Sequence, residues 1–321
     1  MPELYVPQPE PRHLLSVRDL GSDDVERILE TARGMASALD REVKKLPTLR
    51  GRTVVHLFYE SSTRTLASFE LAAKRLSAET MSVRSSGSSV DKGESLKDTA
   101  LTLSAYDPDV IVIRHPSIGA PDVVVRVTDA HVVNAGDGKH QHPTQALLDL
   151  YTIRDALGRL ANVHVAIVGD ILHSRVARSL VQALELVGAQ VTLVAPPTLL
   201  PRGVEALGCE TSTDIASIAS ADVIYVLRMQ QERMEPGAAF VPSLREFAAL
   251  YGITPARVRT GQVVMHPGPM NRGVEIDPRV ADSAAALVTN QVRAGLVVRM
   301  AVLYDLLTVA PARVAEAVVV A

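Results

Sequence analysis

An apolar-periodic run reaching Leu39 follows Ser22, Asp23 and Asp24, a pattern that predicts a helix capped by Ser22 with acids in its first turn. Beyond it the period changes. Short β-branched runs at 53–59, 80–84, 110–113 and 131–133 alternate with helical stretches at 63–76 and 95–106. The run at 110–113 is almost continuously apolar, as a strand covered on both faces should be. Ala146, Leu147, Leu150, Ile153 and Leu157 lie near helical spacing within 143–157 and stop before Gly158, so this helix bridges to a second unit. There the alternation resumes, with strands at 163–168, 191–194, 223–227 and 263–265 and a helix at 174–187. A final helix at about 290–309 has no strand after it and is expected to pack back on the first unit. Strand and helix in alternation mean βαβ units. The predicted fold is α/β: two doubly wound parallel-sheet domains with a cleft between them, 1–142 completed by a C-terminal helix 290–321, and 143–289.

Composition narrows the partners. Across 321 residues, 33 Lys plus Arg face 36 Asp plus Glu, a net charge of −3, which argues against a broad nucleic-acid surface. Hydrophobic residues at 47% give ample core, and aromatics at 3% with no Trp disfavour sugar or base stacking. Cys209 is the sole cysteine, so no intrachain disulfide and no thiolate-rich metal site can form, and a reduced, cytoplasmic setting is expected. The proline-rich segment 1–12 lacks the apolar stretch of a signal peptide. Residues 284–310, though apolar, are interrupted by Arg293, Arg299 and Asp305, so no membrane span is expected.

In parallel sheets ligands gather outside the carboxyl ends of strands, so the residues just after each predicted strand matter most. They are Glu60 to Thr65, Arg114-His115-Pro116 and Asn134 to Gly138 in the first unit. In the second they are Gly169-Asp170 leading to His173 and Arg175, then Arg228-Met229-Gln230, then His266-Pro267-Gly268-Pro269. Recurrent arginines, hydroxyls and amides there make an anion site. Ser62 to Thr65, at a helix start after a strand, would aim backbone N–H groups, the helix dipole and the Arg64 fork at one spot, a phosphate cradle. The tetrapeptide alone also fits an ordinary Ser/Thr cap. No Walker pattern and no G-x-G-x-x-G follows either first strand, which disfavours nucleotides. His140 and His142 make a poor metal site without a third ligand; His142 and Gln145 instead look like neutral donors for a small carbonyl compound. Ser85 to Glu94, rich in Ser and Gly and holding Lys92, is expected to be a mobile loop.

Taken together, Ser62-Thr63-Arg64-Thr65 with Ser68-Phe69-Glu70, Arg114-His115-Pro116, His142-Pro143-Thr144-Gln145 and His266-Pro267-Gly268-Pro269 resemble the transcarbamoylase family. The resemblance runs from about residue 14 to 309. Within the family it lies on the aspartate carbamoyltransferase side. Ser88 and Lys92-Gly93-Glu94 stand in the loop as in aspartate enzymes, and His-Pro-Gly-Pro replaces the His-Cys-Leu-Pro expected of ornithine enzymes. The resemblance implies transfer of a carbamoyl group from carbamoyl phosphate to L-aspartate, an early step of pyrimidine synthesis, without metal or cofactor. It implies that Ser62, Thr63, Arg64, Thr65 and Arg114 bind the phosphate, that Thr65, Arg114 and His142 polarise the carbamoyl oxygen, and that Gln145 holds the carbamoyl amino group. Arg64, Thr65, Arg114, His142 and Lys92 would form the catalytic set. Lys92, Arg175, Arg228, Gln230, Gly268 and Pro269 would hold aspartate, with Ser88 and Lys92 lent by a neighbouring subunit of a homotrimer. Glu60, Arg175 and Arg233 resemble residues that bridge the domains on closure.

Two departures from the family pattern are Leu66, where a basic residue commonly follows the S-T-R-T run, and Asp91, where a second lysine is frequent. Two alternatives stay open at this level: a transcarbamoylase for another amine such as ornithine, and a catalytically silent scaffold. The resemblance also leaves open whether two trimers join regulatory chains or whether a dihydroorotase associates.

Overall fold

The computed structural model describes residues 12–84, 93–230 and 240–308. After helix α1 (Ser22–Leu39), strands β1 (Thr53–Phe58), β2 (Glu79–Arg84), β3 (Val110–His115) and β4 (His131–Asp137) form a four-stranded sheet in the order β2-β1-β3-β4, parallel at every pairing. Helices α2 (Thr63–Arg75), α3 (Leu96–Ser104) and α4 (Ala120–Val125) make the crossovers. The central strands β1 and β3 are buried almost end to end, which is why they read as continuous apolar runs; the edge strand β2 is half-buried or exposed throughout. The cap of α1 differs from expectation. It is Gly21, one residue earlier than Ser22, because the Asp24 carboxylate accepts from the Gly21 N–H at 2.9 Å.

Helix α5 (Pro143–Leu157) carries the chain to the second unit and ends at Gly158, whose φ of 72° sits in the left-handed region. It is buried along nearly its whole length, a helix apolar on most sides because it lies between other helices rather than at the surface. Strands β5 (His164–Val168), β6 (Gln190–Val194), β7 (Glu210–Ser212), β8 (Val223–Val226) and β9 (Val263–Met265) follow. They build a five-stranded parallel sheet, β7-β6-β5-β8-β9. Helices α6 (Arg175–Leu186), α7 (Leu244–Tyr251) and α8 (Pro278–Ala281) flank it. The last helix, α9 (Val288–Thr308), packs against α1, α2 and α5. Among the described residues no helix is long and apolar enough to cross a membrane.

Both sheets have a point where successive connections run off in opposite directions. In the first it lies between β1 and β3, in the second between β5 and β8. Loops leaving the carboxyl ends of such neighbours part to opposite faces and leave a crevice. The four chain segments that leave these strands carry Glu60 to Thr65, Arg114, Asp170 to Arg175, and Arg228 to Gln230.

Candidate functional site

Four helices here close their first turn with a side chain: Ser95 accepts from Asp98 N–H, Ser174 from Ala177 N–H, Ser243 from Glu246 N–H and Asp277 from Arg279 N–H. The helices α2 and α5 do not. Ser62 occupies the cap position of α2 but turns its Oγ to donate to Thr65 Oγ1 at 2.9 Å, and His142 begins α5 without a side-chain cap bond. The ordinary-cap reading of Ser62 therefore does not hold. The N–H groups and positive dipole end of α2 stay available to an anion in the cleft that Ser62, Thr63, Arg64 and Thr65 line.

That cleft, about 910 Å³, lies between the two sheets. Every described residue of the expected site lines it: Ser62, Thr63, Arg64, Thr65, Arg114, His142 and Gln145 from the first set, and Arg175, Arg228, Gln230, Gly268 and Pro269 from the second. Ser88, Lys92 and Arg233 lie outside the described residues. The helix α9 adds Arg293 and Arg299, so six arginines and a single acid, Glu60, line the cleft among the described residues. Burial, and then the neighbouring charge of Arg228, push the Arg64 pKa below its usual value, a sign that the two cations face each other across the space.

Glu60 ties the halves together. Its carboxylate accepts from Arg114 Nη2 at 2.5 Å and from both terminal nitrogens of Arg175, the Nη1 contact being 3.2 Å. Arg114 also donates to the Ala135 carbonyl at 3.1 Å, and Arg175 to the Gly138 carbonyl at 3.1 Å. Both guanidiniums thus rest on the carboxyl end of β4 and the residue just after it. Gly136, with φ 119°, lets them approach: a Cβ there would stand 2.9 Å from Cζ and Nε of Arg175 and 3.2 Å from Nη1 of Arg114. This strand end is braced by Asp137, which accepts from Asn134 Nδ2 at 2.8 Å, Gln141 N at 3.0 Å and Gly119 N at 3.0 Å. The strand expected at 131–133 runs on to Asp137, so residues 134–137, picked out as following it, belong to β4; with Gly138 they do not line the cleft but hold the arginines that do.

On the other wall, Asp170 accepts from Gln230 N at 3.0 Å and from His173 Nδ1 at 2.8 Å, which fixes the loop bearing Arg228 and Gln230. His173 is a buried brace rather than a cleft residue. His266, which does line the cleft, also braces a loop. Its Nδ1 accepts from Gly268 N at 2.8 Å, so in the neutral ring Nε2 carries the proton and donates to Glu275 at 3.1 Å. Burial lowers its pKa against the pull of Glu275, and Arg64 and Arg228 lower it further, which keeps that tautomer in place.

Beneath the floor lies a cluster that the sequence did not reveal. Asp149 on α5, fully buried, accepts from Gln145 Nε2 at 3.1 and 3.2 Å, Tyr225 Oη at 2.7 Å and Gln291 Nε2 at 2.8 Å. Burial pushes its pKa up to about 7, against the pull of those donors and of Arg299. Arg299 donates to Ser68 Oγ at 2.5 Å and stacks over the Phe69 ring at 5.0 Å, and burial brings its pKa down to about 10. The available signal was an acid between Leu148 and Leu150, one turn after Gln145 in the apolar middle of the helix. No group of three or more His, Cys, Asp or Glu among the described residues is disposed to hold a metal ion.

Residues 12–155 match the family profile "Aspartate/ornithine carbamoyltransferase, carbamoyl-P binding domain", and residues 161–306 match "Aspartate/ornithine carbamoyltransferase, Asp/Orn binding domain". The chain is 58% identical over 300 residues to the aspartate carbamoyltransferase catalytic subunit of Acidothermus cellulolyticus, covering 92% of each. It is 56% identical to that of Thermobifida fusca over 300 residues, 92% of this chain and 95% of the relative. The aspartate transcarbamoylase of Trypanosoma cruzi, crystallised with N-(phosphonacetyl)-L-aspartic acid, superposes with a TM-score of 0.84 at 32% identity, covering 92% of this chain and 96% of that one. The M. jannaschii catalytic subunit superposes with a TM-score of 0.80 at 38% identity, covering 92% and 97%.

Proposed function

The chain belongs to the aspartate/ornithine carbamoyltransferase family, and from that premise we propose that it carbamoylates L-aspartate, with the cleft residues in the roles that follow. The observation that carries the reading is the convergence of an uncapped helix start and six arginines on one cleft between two parallel sheets. Carbamoyl phosphate near neutral pH is a dianion, and so is aspartate in the neutral-amine form that attacks. In a closed cleft their repulsion is not screened by water, and guanidinium forks suit both phosphate and carboxylate. The same charge speaks against ornithine, whose side-chain ammonium would face Arg228 and Arg175.

The N-terminal turn of α2, with Ser62, Thr63, Arg64 and Thr65, and Arg114 bind the phosphate. Thr65, Arg114 and His142 stabilise the oxyanion that forms as the neutral aspartate amine attacks the carbamoyl carbon. Gln145 accepts from the carbamoyl NH2. Arg175, Arg228, Gln230 and the backbone around Gly268 and Pro269 hold the two carboxylates. In the step itself the N–C bond forms, the bond from carbon to the phosphate oxygen breaks, and the amine proton passes to leaving phosphate. No covalent nucleophile is required, so catalysis rests on orientation and oxyanion stabilisation. Domain 1–142, completed by the C-terminal helix, serves carbamoyl phosphate, and 143–289 serves aspartate.

The product carries a four-carbon diacid with a urea-type nitrogen, which one cyclising loss of water closes to a pyrimidine ring; this supports a place early in pyrimidine synthesis, in the cytoplasm. The working unit is a homotrimer in which Ser88 and Lys92 enter a neighbour's cleft. In support, β2, which leads into that segment, is an exposed sheet edge with Met81 outward. Product formation from carbamoyl phosphate with L-aspartate, against L-ornithine as the other amine, tests the reading; equal or greater turnover of ornithine would overturn it. Mixing Lys92→Ala with Arg64→Ala chains tests the shared site: verified hybrids should regain activity, and hybrids that stay inactive refute it.

A further inference from the structure

An amide has two ends of almost equal size, one a donor and one an acceptor, and a cleft sees whichever end is turned outward. Gln145 lines the cleft while its other amide end meets Asp149. Asp149 has its oxygens occupied from three elements: Oδ1 by Gln291 Nε2 of α9 at 2.8 Å, Oδ2 by the Tyr225 hydroxyl of β8 at 2.7 Å, and both by Gln145 Nε2 of its own helix. Turning Gln145 over would set its oxygen against carboxylate oxygens in a fully buried place, leaving acceptors without donors. The inward end must be Nε2, and the cleft therefore receives Oε1.

The same carboxylate fixes a second amide. With its Nε2 held by Asp149, Gln291 presents Oε1 to the His266 N–H at 2.9 Å, at the start of the loop that bears Gly268 and Pro269. A single acid below the floor thus orients groups at two edges of the cleft.

We propose that Asp149 is a positioning residue that holds the Gln145 amide acceptor-outward and so makes the cleft select an acyl phosphate bearing N–H at its acyl carbon. The proposal rests on the reading that Gln145 meets the carbamoyl NH2. Acetyl phosphate, which has CH3 in place of NH2, isolates the contact, because it keeps the phosphate and the carbonyl and loses only the donor.

The measurement is the ratio of inhibition or Michaelis constants for acetyl and carbamoyl phosphate, taken on full-length variants of checked thermal stability. Gln145→Ala should lower the preference for carbamoyl phosphate about tenfold, the worth of one good hydrogen bond. Asp149→Leu, branched in the same way but without an acceptor, should lower it by a similar factor. Asp149→Asn should retain it within about threefold, since Oδ1 still accepts from Gln145 and Gln291 while Nδ2 donates to the Tyr225 oxygen. Tyr225→Phe removes a buried bond from the same carboxylate without releasing Gln145, so the ratio should stand. Should Asp149→Leu not fold, Asp149→Ala withdraws the acceptor without crowding and makes the same test. An unchanged ratio in Asp149→Leu beside a collapsed one in Gln145→Ala overturns the role of Asp149 alone. An unchanged ratio in Gln145→Ala overturns the reading of Gln145 and the proposal with it. Collapse in Tyr225→Phe or Asp149→Asn equal to that in Asp149→Leu would show general loosening and also overturn it.

Discussion

Replacing Gly136 by Ala disturbs two cleft arginines without removing either. The residue sits at φ 119°, and a Cβ would lie 2.9 Å from Cζ of Arg175. That is roughly 0.6 Å or more inside the ~3.5 Å at which carbon atoms rest, so the guanidinium must retreat. Its partners leave little slack, because Arg175 is bonded to Glu60 and the Gly138 carbonyl, and Glu60 is bonded in turn to Arg114. Backbone strain should cost about 1–3 kcal/mol of stability. A displacement of order 1 Å in a group that orients substrate costs on the order of 10²-fold in rate, about 2.7 kcal/mol of barrier. Steady-state kcat/KM for carbamoyl-aspartate formation, together with urea unfolding, reads both effects. Gly158→Ala is the control: its φ is 72° and nothing lies within 4 Å of the added Cβ, so it should lose about 1–2 kcal/mol of stability and no activity. A Gly136→Ala enzyme within threefold of wild type, or a Gly158→Ala enzyme equally impaired, would refute the reasoning.

His142→Ala should reduce kcat on the order of 10²-fold or more while carbamoyl phosphate binding weakens little, as expected of an oxyanion donor; a pure binding defect in single-turnover kinetics would count against that role. Arg228→Ala should raise the KM for aspartate by about 10- to 100-fold, the loss of one charge-assisted contact, while phosphate still protects the cleft in equilibrium binding. His56 is fully buried, and burial holds its pKa down from 6.5 to about 4. The unfolded chain therefore takes up the proton first as pH falls. The contribution to stability is whole above about pH 6.5 and declines by about 3 kcal/mol toward pH 4, and His56→Leu should flatten the urea midpoint across that window.

The alternation of strands and helices was legible because parallel strands covered on both faces leave unbroken β-branched runs, as in β1 and β3. Helix α4 was not predicted: its Pro121-Asp122-Val123-Val124-Val125 reads as strand, yet Val124 is buried and packing decides its form. The edge strand β7, only Glu210–Ser212, has no apolar alternation to announce it. Many of the residues gathered in the cleft could be listed from the rule that ligands meet strand ends, because Glu60 to Thr65, Arg228 to Gln230 and His266 to Pro269 follow strands directly; Arg293 and Arg299 on α9 could not. Asp149, Tyr225 and Gln291 could not, because their contact joins three distant segments and each looks ordinary in its own.

The return of α9 to the first unit bears on the order in which the chain matures. Its side chains cover α1, α2 and α5, and Asp305 near its end bonds Arg12 and Arg27 near the beginning, at 3.1 and 2.6 Å. The first unit therefore stays open along these helices until the segment that forms α9 has been made. The second sheet can close on itself while the apolar sides of Leu29, Leu147 and Leu150 wait uncovered, so the unit made first is the one completed last.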